Sequence, residues 1–127
     1  NQPMGAPTSR ELASGTWPGH EWMAITQGRQ KFTVEALYAG DRTPPDRWPE
    51  EARDALIRER NLPASPAKPI SAAGLPGVEF EQKSPHAVYR TRCLRAATNL
   101  YCLTASAPQW NADQDRFFRS FRLTAPK

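Results

Sequence analysis

Tyr89-Arg-Thr-Arg-Cys-Leu-Arg-Ala-Ala-Thr-Asn-Leu-Tyr-Cys-Leu-Thr-Ala105 is the stretch that decides the fold. It reads as a β-hairpin with strands over 87–96 and 100–107 and a two-residue turn at Ala97 and Thr98. That register sets Cys93 directly opposite Cys102, the only cysteines in the chain. Cross-strand Cβ atoms stand about 4.5–5.5 Å apart, nearly within reach of a disulfide. A bridge here closes a loop of about ten residues and restrains the unfolded chain by about 2.5–3 kcal/mol, which makes it a local staple. It points to an oxidising, extracytoplasmic compartment; the alternative is a reduced pair of small side chains facing each other in a cytosolic domain. Zinc would need further ligands, and His20 and His86 do not stand at the short spacing of a structural site. A redox-active Cys-x-x-Cys is absent from the sequence.

Upstream of the hairpin, Pro69-Ile-Ser-Ala-Ala73 suits an edge strand, Gly74-Leu-Pro-Gly77 a turn, and Val78-Glu-Phe-Glu-Gln-Lys83 an alternating strand. Downstream, Asn111-Ala-Asp-Gln114 has the form of a capping box ahead of a helix that places Phe117 and Phe121 on one face. Farther back, Trp22-Met-Ala-Ile-Thr26 and Lys31 to Tyr38 form a hairpin about Gly28-Arg29, with Phe32, Val34, Ala36 and Tyr38 on one face. A helix over 48–61 starts at Trp48-Pro-Glu-Glu51, where proline and two acids suit unpaired amides, and ends at Asn61. Residues 1–20, with Pro3, Gly5, Pro7, Gly15, Pro18 and Gly19, read as an irregular arm before a single domain over 21–127. Within the arm Trp17 pins it either to the domain or to a partner.

The 127 residues suffice for one core. Thirteen prolines imply long irregular connections, and no apolar run reaches the about 20 residues of a membrane span. The start at Asn1 suits a mature exported form or a segment of something longer. A net charge of +4, carried by thirteen arginines against four lysines, favours an acidic partner. Arg90 and Arg92 share a strand face, and Arg116, Arg119 and Arg122 recur at helical spacing, so these side chains form either an anion-facing patch or a solvated surface paired with Asp113, Asp115 and Glu79. Nucleic-acid binding would call for aromatics interleaved with that charge, and the aromatics fall mostly on core faces.

Gly74-Leu-Pro-Gly-Val-Glu-Phe80, Tyr89-Arg-Thr-Arg92, Asn99-Leu-Tyr-Cys-Leu-Thr-Ala-Ser-Ala-Pro108 and Asp115-Arg-Phe-Phe-Arg-Ser-Phe-Arg-Leu123 together resemble bacterial PsbP-like domains, over roughly residues 21–124. The resemblance implies an α+β fold, an antiparallel sheet flanked by helices in an α/β/α sandwich, with no shared catalytic residues and no cofactor.

No phosphate loop, nucleophile elbow or His-Glu-x-x-His occurs in the sequence. Adjacent acids such as Glu50 and Glu51 answer to the helix dipole. The expectation is a non-enzymatic, periplasmic accessory subunit. It docks on a larger membrane complex, photosynthetic or respiratory, through Trp17, Arg90, Arg92, Arg116 and Arg119. The second expectation is a small-molecule or lipid carrier with an apolar pocket between sheet and helix.

Overall fold

The computed structural model describes residues 4–121; Arg122, Leu123 and the first three residues of the expected arm lie outside the described residues. Seven strands form one antiparallel sheet: β1 Met4–Leu12, β2 Gly15–Thr26, β3 Gln30–Tyr38, β4 Lys68–Ala72, β5 Leu75–Lys83, β6 Val88–Arg95 and β7 Asn99–Ala107. Their order is β1-β2-β3-β7-β6-β5-β4, so β7 is central and β1 and β4 are the edges. Two helices complete the fold, α1 Trp48–Arg60 and α2 Ala112–Ser120.

The expected α+β sandwich is therefore corrected to a mainly β fold, with 53% strand against 21% helix among the described residues. The physical reason lies in the segment read as an irregular arm, which from Met4 onward is β1 and the first half of β2. Its prolines are tolerated by position. Pro7 is on an edge strand, and Pro18 pairs only with Ser9, because pairing of β2 with β3 begins one residue later, at Gly19.

The same device recurs across the sheet. Pro76 pairs with Ser71 of β4, and pairing of β5 with β6 begins at Gly77. Gly19 and Gly77 each face a leucine, Leu37 and Leu94, and a Cβ on either would land on a neighbouring carbonyl oxygen, that of Ala36 or Cys93. Both steps belong to one pattern, an apolar residue, Pro, Gly, any residue, Glu and an aromatic: Trp17 to Trp22 and Leu75 to Phe80. The two strands occupy equivalent places one in from each edge, with their faces exchanged.

Alternation separates the two faces. Trp17, Leu37, Val78, Phe80, Cys93, Leu100 and Cys102 lie under Trp48, Ala52, Ala55 and Leu56 of α1. Trp17 and Trp48 meet at 4.9 Å, and the Arg42 guanidinium caps the Trp17 ring at 3.6 Å. Pro49 opens α1, and Asn61 closes it in the left-handed region, its N–H bonded to the Ile57 carbonyl. Glu51 ties α1 to the β1–β2 turn by accepting from the Ser14 amide and hydroxyl. On the opposite face Leu94, Leu103 and Ala105 pack against Phe118 of α2. The capping box of α2 is complete: Asn111 accepts from the Asp113 amide, and Gln114 accepts from the Asn111 amide.

The hairpin has the expected register, with Cys93 opposite Cys102 and the Ala96 amide bonded to the Asn99 carbonyl across the turn. Both thiols are free. The Cys102 thiol donates to the Cys93 sulfur at 3.0 Å, and that bond together with burial holds the Cys102 thiol well above its ordinary pKa.

Candidate functional site

Face alternation in β2 and β3 puts Trp22, Ala24, Phe32 and Val34 on the side that α2 covers. The helix covers only part of it. Its nine residues follow β7 and dock through Phe117 and Phe118, leaving an apolar groove of about 820 Å³ between β2, β3 and the helix. Phe117 tilts against Phe32 at 5.0 Å and closes one side. Trp22 stays 38% exposed along the other, with His20 tilted against its ring at 4.6 Å. One end of the groove is polar. Gln30 accepts from Gln114 at 2.6 Å, and Asp113 pairs with Arg116 at 3.3 Å. The groove thus offers aromatic and aliphatic walls with hydrogen-bonding groups at one end, the chemistry of a site for an apolar molecule with a polar head.

The residues expected to meet a partner are dispersed and mostly engaged internally. Trp17 is 1% exposed and forms part of the core under α1, so its ring is not at the surface. Arg90 bonds Glu81 at 3.1 Å and lies over Trp110, while Arg92 bonds Glu79 at 2.6 Å and lies over Phe118. These are cross-strand pairs, Glu79 opposite Arg92 and Glu81 opposite Arg90, and they form a ladder of alternating sign beside α2. Arg116 alone of the five lines the groove. Arg119 is exposed on the same helix. His86 sits in the β5–β6 turn, where its amide donates to Ser84 Oγ.

The sheet face under α1 carries a polar network that motif reading passes over. Arg10, from the supposed arm, donates to Glu35 at 2.8 Å and to Glu59 of α1 at 3.1 Å. Burial works against the Arg10 cation, but its two carboxylates more than offset that and raise its pKa. Glu35 is 3% exposed, and loss of water outweighs Arg10 and raises its pKa. Arg60, at the end of α1, donates to Gln82, Thr91 and Thr104, and burial lowers its pKa. Alternation in β3 put Glu35 on the face opposite Phe32 and Val34; that the face is buried there depends on the end of α1 and on Arg10, which are far away in sequence.

Among the described residues no group of three or more His, Cys, Asp or Glu side chains is placed to hold a metal ion. No helix in this range is long and apolar enough to cross a membrane. No family model, curated protein or solved structure matches the chain.

Proposed function

We propose that the chain is a non-enzymatic binding module that carries a small molecule with an apolar body and one polar end in the groove between β2, β3 and α2. The observation that supports this reading is the groove itself: about 820 Å³, walled by Trp22, Phe32, Val34 and Phe117. That volume is within the roughly 300–1,000 Å³ of small-molecule sites. The docking alternative rested on the arm and the arginines, and those groups are largely engaged within the protein: Trp17 in the core, Arg90, Arg92 and Arg116 on carboxylates.

Titration with the fluorescent apolar anion anilinonaphthalene sulfonate tests the reading. Saturable binding at one site, with energy transfer from tryptophan, is the expected result. Val34→Glu, which sets a charge on the groove floor, should abolish binding in a chain that still melts cooperatively, at a lower temperature. Undiminished binding in that variant refutes the assignment.

A further inference from the structure

The sheet face opposite the groove holds a second cavity, about 350 Å³ and polar, lined among others by Arg10, Glu35, Glu59, Arg60, Thr104 and Ser106. Two features of its lining are incomplete as they stand. The Arg60 guanidinium carries five N–H donors. Its recorded bonds go to Gln82, Thr91 and Thr104, all neutral oxygens, and no ion pair among the described residues includes it. Arg60 is partly buried, and these bonds leave its Nε–H and its second Nη2 hydrogen unused. Glu35 presents the complementary deficit. Its Oε1 accepts from Arg10, while Oε2 is buried without any hydrogen-bond partner. A buried acceptor left unmet is costly, and a ligand donor relieves it.

Register relates the two groups. Glu35 is directly opposite Cys102, and Thr104, which holds the Arg60 guanidinium, stands two residues farther along β7 on the same face. Diagonal neighbours of this kind are about 7–8 Å apart. We propose that the cavity binds a small zwitterion of the α-amino acid class. Its carboxylate takes the two remaining Arg60 donors, and its ammonium group donates to Glu35 Oε2. Lys31 and Glu21, one charge of each sign, also line the cavity and match a ligand with no net charge. A carboxylate alone would leave Glu35 unmet, and an amine alone would leave Arg60 unmet. The site is independent of the groove, being on the other side of the sheet.

The test is a titration of the whole chain with the standard amino acids, using acetate and methylammonium chloride as half-ligands, followed by amide chemical shifts. The expected result is saturable binding of at least one amino acid, with shifts centred on Thr33, Thr104 and Ser106. Either half-ligand should bind at least about tenfold more weakly, the equivalent of one lost charge-assisted bond. Glu35→Gln should weaken the amino acid by about tenfold and leave acetate unchanged. Arg60→Gln should weaken both, and Val34→Glu, in the groove, neither. Acetate binding as tightly as every amino acid, shifts located in the groove, or no saturable shift at millimolar concentrations would each overturn the proposal. Because the half-ligand comparison uses the unaltered chain, it stands even where a variant fails to fold.

Discussion

Replacing Phe118 with alanine is expected to release α2 from the sheet without unfolding the sheet. The ring is 6% exposed, with Trp110 stacked at 6.1 Å, Phe117 at 5.3 Å and the Arg92 guanidinium at 4.6 Å. Truncating a phenylalanine this buried costs about 3–5 kcal/mol, aromatic partners included. The helix has little of its own with which to resist. Its nine residues fall short of the roughly 12–15 at which an isolated helix is even marginal, and the capping box contributes only about 1 kcal/mol. At about 1.4 kcal/mol per factor of ten, amide protection over 112–120 should fall by a hundredfold to a few thousandfold. Hydrogen exchange read by mass spectrometry measures it, with peptides from β3, β6 and β7 as internal reference. Binding of the groove probe should be lost in parallel. Unchanged protection in α2 would refute the reasoning, and so would equal loss in β6 and β7, because the helix would then belong to the global cooperative unit.

Other perturbations follow from the same geometry. Gly77→Ala drives a Cβ into the Cys93 carbonyl and should cost about 1–3 kcal/mol in urea melts; an unchanged midpoint would refute the close approach. The Glu35 carboxyl has a higher pKa folded than unfolded, where it titrates near 4.5. Its contribution to stability is therefore full below that value and declines as pH rises through the folded pKa, so Glu35→Gln should flatten this part of the stability profile; identical profiles would argue against it. Arg92→Ala removes a cross-strand pair and a cation–π contact and should cost about 0.5–1 kcal/mol by thermal melts, with no change in retention on anionic vesicles. Cys93 and Cys102, 0% and 3% exposed, should react with a thiol reagent only after denaturation, as read by mass spectrometry; labelling of the folded chain would refute their burial.

Much of the second half of the chain was legible. Alternation in Val78 to Lys83, the turn at Ala97 and Thr98 and the capping box at Asn111 each depend on neighbours in sequence, and each is found as expected. The first 20 residues were not legible, because proline and glycine dilute the alternation of Arg10, Leu12 and Trp17 below recognition. The available signal was the recurrence of Pro-Gly-x-Glu-aromatic at Pro18 and Pro76, which marks two equivalent strands. Groove and cavity were beyond sequence reading for a different reason. The alternation of Phe32 and Val34 places them on one face, yet whether they are covered depends on where a nine-residue helix comes down. Arg10, Glu35 and Arg60 meet only because β1, β3 and the end of α1 converge.

The placement of β1 and β4 at the two margins bears on how this protein can assemble. Each outer strand carries a proline, Pro7 or Pro69, which has no amide hydrogen to offer an incoming chain. Growth by strand addition, the route to fibrils and to extended multi-chain sheets, is obstructed on both flanks. Any association in solution is thereby steered toward the broad surfaces, where the helices leave openings.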